Sequence, residues 1–354
     1  MPVNIARFYK REKFELDCET ITPMFLGNAS QETELRAAPF KGLLRYWWRV
    51  AEGAKYPSPA KLLTAENTIF GSPDQEYGGK SQVTVEAMAL SSLTAINVNL
   101  PDPGLVAHPE CERTDGQTNP LNYLAGMGLI HYRKGILHSY FAPGENFRLR
   151  ITVGSGAQRA VQSTLRLIDA FGAIGSRSRN GWGCFAWNKA MDVSGLSFRK
   201  FIDAFDRDYP HCLGADDKGL LLWKTKDSRT TWQDCMKDLA EVYISIRAGS
   251  RQKGIPKLDV NLGNPPERHL LGYPVTNHNI MKPGWGRQGR HASALRLIVR
   301  KETDGHRGYI LHLPHLFSEV MWQNGTQEQI KIWQKVHVTL DKLCRRVVTK
   351  EVRS

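Results

Sequence analysis

The chain has no apolar run approaching the roughly 18 residues that a membrane-spanning helix needs. Its opening stretch, MPVNIARFYKREKFE, lacks the apolar core of a secretory leader. Membrane association and export are therefore not expected, and a cytoplasmic location is. The six cysteines (Cys18, Cys111, Cys184, Cys212, Cys235 and Cys344) form no C-x-x-C pair and have no histidine at zinc-finger spacing. Scattered, reduced thiols are the simplest account. Eleven histidines supply neither H-x-x-x-H nor H-E-x-x-H. His312 and His315 are three apart, but Pro314 between them argues against a helix that would bring them together. No metal and no cofactor are expected. Gly79-Lys80-Ser81 imitates the end of a phosphate-binding loop, yet Asp74 stands where its first glycine belongs.

What the chain does have is positive charge: 48 Lys and Arg against 35 Asp and Glu, a net charge of +13 over 354 residues. That excess suits a polyanionic partner. It is concentrated late, since residues 251–300 hold nine Lys or Arg against two Asp or Glu. Hydrophobic residues make up 41% of the chain, enough for packed interiors, and the length suggests two domains.

The hydrophobic pattern predicts a strand over Lys13–Thr22, a helix after Pro39, a short helix ending on Gly71, strands over Gln82–Leu90 and Phe147–Val153, and a helix over Ala157–Phe171. A glycine-punctuated loop and a further strand follow. This succession is the split βαβ pattern of a ferredoxin-like domain. Residues 101–127, rich in Pro, Gly, Asp and Asn, are expected to be a surface insertion. The second half repeats the first in kind. It offers a strand at Leu220–Lys224, a helix over Trp232–Arg247, a long basic tract over 249–289, a hairpin about Asp304-Gly305 and a closing helix over Gln327–Val348. The expected architecture is α+β: two tandem ferredoxin-like (RRM-like) domains, 1–194 and 195–354, with surface insertions.

Two stretches carry candidate chemistry. In ELRAAPFKGLLRYWWRV, residues 34–50, apolar positions Phe40, Leu43, Leu44, Trp47 and Val50 make one helical face. Lys41, Arg45 and Arg49 recur every four residues as a basic stripe beside it, with Trp48 on the border. Trp47 reads as core, while Trp48 could stack on a base or be buried. In GAIGSRSRNGWG, residues 172–183, four glycines let backbone approach a ligand, and Arg177 and Arg179 can reach phosphates with paired donors. The following aromatic strand, residues 180–187, partly matches that of an RNA recognition motif, but Cys184 stands where an aromatic belongs.

TPMFLGNAS at 22–30, ELRAAPFKGLLRYWWRV at 34–50, NTIFGS at 67–72 and FGAIGSRSRNGWGCF at 171–185 together resemble the RAMP superfamily of CRISPR proteins. More narrowly, they are similar to the family that supplies the first subunit of the type III-B Cmr effector complex. That family has an acidic residue, Leu and Arg before a proline, then Lys-Gly and Arg before paired aromatics and another basic residue. Glu34, Leu35, Arg36, Pro39, Lys41, Gly42, Arg45, Trp47, Trp48 and Arg49 fill those places. RHASALRLIV at 290–299 is similar to the family's Arg-x-Ala-Ser-Pro-Leu segment, with Ala294 in place of the usual proline.

The resemblance implies two RAMP domains and a non-catalytic subunit that holds guide RNA, near its 3′ part, and target RNA beside other Cmr subunits. Cleavage would belong to those other subunits. The RNA contacts it implies are Arg36, Lys41, Arg45, Trp48, Arg49, Ser176, Arg177, Ser178 and Arg179, with Arg287 and Arg290 of the basic tract. Helix and glycine loop are expected to converge on one basic cleft. A metal-independent endoribonuclease of the same superfamily would place a histidine beside a lysine or tyrosine there. A structural adaptor would touch RNA only incidentally.

Overall fold

Alternation in the first strand is realised as β1, Arg11–Thr20, whose outward residues are charged and whose inward face carries the apolar Phe14, Leu16 and Cys18. A computed structural model describes residues 11–73, 79–131, 133–259, 266–275, 289–317, 322 and 325–348. Two units emerge from it. One takes in the chain up to Asn97, His138–Ser176 and Trp182–Leu196; the other takes in Val98–Leu137, Arg177–Gly181 and the chain from Ser197 on.

In unit 1, β1 pairs antiparallel with β3, Asn146–Gly154, and β3 pairs on its other side with β2, Val83–Ala89. A two-residue β4, Phe185–Ala186, joins β1. The resulting order, β4-β1-β3-β2, interleaves two βαβ units as a ferredoxin-like sheet does. Helix α1, Ala37–Glu52, starts two residues before Pro39, because a proline in the first turn lacks only an N–H the helix does not use. Its Phe40 ring meets Phe147 of β3 and Phe185 of β4 at 5.5 and 5.8 Å. Trp47 stacks at 5.7 Å on Phe171, the last residue of α4, Gln158–Phe171. Helix α2, Pro59–Phe70, begins on a Ser58 cap and ends at Gly71.

The sheet's other face is a charge ladder. Arg148 pairs with Asp17 at 2.6 Å, and Arg150 pairs with Glu15 at 2.8 Å and Glu86 at 3.1 Å. An RNA recognition motif stacks bases on aromatics exposed on its sheet. Here Trp182, Cys184 and Phe185 are buried instead.

Unit 2 holds a second four-stranded sheet. Its strands are β5, Leu222–Lys224; β6, Leu295–Glu302; β7, Gly305–His312; and β8, Arg345–Arg346. They run in the order β6-β7-β5-β8, the same interleaving as in unit 1. Helices α5, Trp232–Ala248, and α6, Thr326–Leu343, occupy the corresponding places along the chain. The hairpin forms where Asp304-Gly305 marks it, with Glu302 opposite Gly305. The strand expected over Leu220–Lys224 is interrupted, because the Leu221 N–H donates to Gly214 O rather than to the sheet. The closing helix stops at Leu343, short of Val348. Arg345 and Arg346 pair with Lys224 and Trp223, and the Arg346 guanidinium lies 4.1 Å over the Trp223 ring.

Residues 101–127 lie within the part of the chain that packs with unit 2. Val106 packs against Ile244 and Ala248 of α5 with Tyr123 alongside, and a short helix α3, Pro120–Ala125, buries Leu121 and Leu124. Part of the basic tract, residues 260–265 and 276–288, lies outside the described residues.

Candidate nucleic-acid interface

Three of the motif stretches meet in unit 1. Pro23 O accepts from Gly183 N and Phe25 O from Ser176 N, both at 2.9 Å, so the 22–30 segment and the glycine loop run against each other. Gly175 (φ +90°) is required there: a Cβ on it would sit 2.4 Å from Phe25 O. Asn28 folds its own loop, its Oδ1 accepting from Ser30 N at 2.9 Å and Glu32 N at 3.0 Å. Gln31 is held in the left-handed region at φ +65°. Arg36 braces this loop from the start of α1, donating through Nη2 to Gly27 O at 2.6 Å. Across from it, the Thr33 N–H and hydroxyl bond Ser139.

These segments enclose a cavity of about 380 Å³. Phe25, Leu26 and Pro39 supply its apolar lining, and Asn28, Gln31, His138, Ser139 and Ser176 its polar lining. Of the RNA contacts expected from sequence, only Ser176 lines it. Asn28 belongs to the 22–30 stretch, where nothing local in the sequence marks it. Gln31 and His138 lay in stretches where neither periodicity nor a recognisable motif marks them.

The basic stripe of α1 is occupied within unit 1. Arg45 pairs with Glu66 of α2 at 3.2 Å, donates to Phe70 O at 3.2 Å and to Gly71 O, and lies 5.5 Å from the Phe70 ring centroid. It thereby closes the C-terminal end of α2, where carbonyls lack helical partners. Arg49 lies 3.7 Å from the other Glu66 oxygen and stays 41% exposed. Lys41 donates to Ser81 Oγ at 3.0 Å; burial, and then the charge of Arg45, hold its pKa below the ordinary lysine value. Trp48 is 0% exposed, packed against Tyr56 and Phe70. Its side chain therefore offers no face to a base in this fold.

Arg177, Ser178 and Arg179 belong to the five residues of the glycine loop that pack with unit 2. The Arg179 carbonyl accepts from Leu297 N at 2.8 Å, and Asn180 forms a parallel bridge to Leu297, so the loop tip adds to β6. Asn180 Nδ2 donates to Leu124 O at 2.9 Å. Arg177, at φ +58°, is exposed, as is Arg290. Arg287 lies outside the described residues. Among the described residues no group of three or more His, Cys, Asp or Glu is placed to hold a metal, and no helix is long and apolar enough to cross a membrane.

Residues 17–186 match the family model of the RAMP superfamily. A curated protein of Pyrococcus furiosus, the CRISPR system Cmr subunit Cmr1-1, is 26% identical over 176 residues, covering 49% of this chain and 46% of that protein. The chain thus spans about half the length of the curated relative it matches. Among solved structures, apo Cmr1 from Pyrococcus furiosus is similar with a TM-score of 0.52 at 17% identity, over 93% of this chain and 97% of that one. That likeness is one of fold. A chain of type III-B Cmr-beta bound to cognate target RNA gives a TM-score of 0.48 at 11% identity, over 94% and 100% of the two chains.

Proposed function

We propose that this chain, which belongs to the RAMP superfamily through residues 17–186, is a non-catalytic RNA-binding subunit of a type III-B CRISPR effector complex. In that role it holds the 3′ part of a guide RNA, and the target RNA, beside other Cmr subunits. The observation that carries the reading is the meeting of the 22–30 segment, the start of α1 and the glycine loop around one polar cavity in unit 1. The exposed arginines Arg177 and Arg290 add sequence-independent attraction for phosphates. Acid–base cleavage of RNA calls for two titratable groups acting on one bond, and the cavity's lining contributes one histidine, His138.

The test is binding of labelled single-stranded RNA by the purified chain at 50 and 200 mM salt, with RNA integrity followed on a gel. Neutralising about five phosphates predicts a roughly 100-fold loss of affinity between those conditions. Arg177→Glu with Arg290→Glu should weaken binding at low salt and flatten the salt dependence, with the RNA intact. Cut RNA would replace this reading with the nuclease. Unaltered binding in the double variant would remove these arginines from the interface.

A further inference from the structure

The basic tract that opens after α5 shapes a concave surface within unit 2. Residues 250–255 close a tight hairpin: Ser250 and Ile255 exchange two backbone bonds of 2.9 Å, and Gly254 N donates to Arg251 O at 3.1 Å. Gly249 (φ +76°) is required at its foot, because a Cβ there would lie 2.7 Å from Lys257 N. Lys342 of α6 pins the tip, donating through Nζ to Lys253 O at 2.6 Å. Between this hairpin, α5 and residues 107–110 lie two adjoining cavities of about 430 and 350 Å³. Pro109 and residues 249–251 line both, so the two form one furrow.

One side of the furrow is an edge of main chain. Val106–Ala107 pairs antiparallel with Gln117–Thr118, and His108 N donates to Gly116 O. By the alternation of such a ladder, the Ala107 N–H and C=O point away from the partner strand, and neither bonds any described residue. The side chains alternate too: Leu105, Ala107 and Pro109 are exposed, while Val106 and His108 are buried. The other side is cationic, with Arg251, Lys253 and Lys257 exposed. Lys253 lies 3.7 Å from Glu241, whereas Arg251 and Lys257 pair with no described residue. Glu110 on the same rim is neutralised by Arg268, which bonds its two oxygens at 2.7 and 2.8 Å. A phosphate backbone would meet the cations but leave the open edge and the apolar wall unused. An extended polypeptide uses all three, pairing its main chain with the edge and directing alternate side chains to opposite sides. We propose that this furrow of unit 2 docks an extended segment of another protein chain in which acidic residues alternate with apolar ones. Its carboxylates meet Arg251 and Lys257, and its apolar side chains lie on Ala107 and Pro109.

The experiment follows, by fluorescence anisotropy at 50 mM salt, binding to the full chain of a labelled octapeptide alternating glutamate with valine, the same peptide with lysine for glutamate, and oligo(U). Wild type should bind the acidic peptide at least about tenfold more tightly than the basic one, since like charges facing across an interface are penalised. Arg251→Glu with Lys257→Glu should abolish that preference. Ala107→Pro removes the outward N–H and leaves the ladder bonds in place, so it should weaken the acidic peptide by about fivefold or more while oligo(U) binding and the melting temperature hold. Equal binding of the two peptides by wild type, binding of neither, or a preference that survives in the charge-reversed variant overturns the docking site. Loss of oligo(U) binding in that variant, with no binding of the acidic peptide by wild type, makes the furrow a nucleic-acid surface and overturns it equally.

Discussion

Removing the Arg45 side chain should destabilise unit 1 rather than simply weaken RNA binding. Three contacts are lost together: the ion pair to Glu66 and the bonds to the Phe70 and Gly71 carbonyls that finish α2. Hydrogen bonds involving a charged group contribute roughly 1.5–3 kcal/mol, and breaking a buried ion pair from one side costs about 3–5 kcal/mol. Arg45 is 29% exposed, so water screens part of that, whereas Glu66 at 5% is left with Arg49 at 3.7 Å. The net expectation for Arg45→Ala is a loss of about 2–3 kcal/mol. Arg45→Lys should recover less than half of it, because a single ammonium cannot fork between a carboxylate and carbonyls. Urea unfolding followed by tryptophan fluorescence measures the loss, and a double-mutant cycle with Glu66→Gln should return a coupling of about 1–2 kcal/mol. A destabilisation under about 0.5 kcal/mol with no coupling would refute the assignment of Arg45 to the α1–α2 brace.

Trp48→Phe should leave RNA affinity unchanged and alter stability by no more than about 1 kcal/mol. It removes a buried indole N–H that has no hydrogen-bond partner among the described residues, while keeping most of the ring packing; a drop in RNA affinity without a drop in melting temperature would restore base stacking. Unit 2 should lose stability in acid. His312 and His337 are buried with their ring nitrogens 2.9 Å apart, and His315 is buried nearby along the chain. Burial first pushes all three below the ordinary histidine value, His315 to about 4; the neighbouring imidazoles add to it at His312 and Arg346 at His337, while at His315 the Leu313 carbonyl opposes it and Arg179 adds to it. Asp216, 3.9 Å from His337, and Asp341 offset this only in part. The unfolded chain therefore takes up protons first, so the stability from these neutral rings is full above about pH 6.5 and declines as pH falls toward 4. Thermal melts at pH 7.5, 6 and 5 should show a progressive drop that His337→Gln reduces; an unchanged melting temperature would contradict it.

Much of the fold was legible because long elements advertise their period. β1 and β3 alternate over most of their length, and the apolar face of α1 is marked every three or four residues by Phe40, Leu44 and Trp47. Two-residue strands carry no period, so β8 was absorbed into the helix before it and only its pairing with Trp223 and Lys224 reveals it. Burial along residues 101–127 was hidden by Pro and Gly, although Val106, Leu121 and Leu124 supply its apolar contacts. In the candidate site, the glycine loop was marked by composition, yet nothing in sequence separates Ser176, which packs with unit 1, from Arg177, which packs with unit 2. A regular spacing of cations was readable on α1, but their partner Glu66 lies 21 positions beyond Arg45, and no local pattern links the two. His138 is brought to the cavity by the chain's return into unit 1, a tertiary event with no local signature.

The most direct test of RNA holding is ultraviolet cross-linking of a labelled single-stranded RNA to the full chain, with the attached peptides mapped by mass spectrometry and the RNA run on a gel. Cross-links within 25–31, 138–139 and 175–179, on RNA that stays full length, are the predicted result. Cross-links absent from all three segments, or shortened RNA, would contradict the account of this chain as the subunit that holds RNA without cutting it.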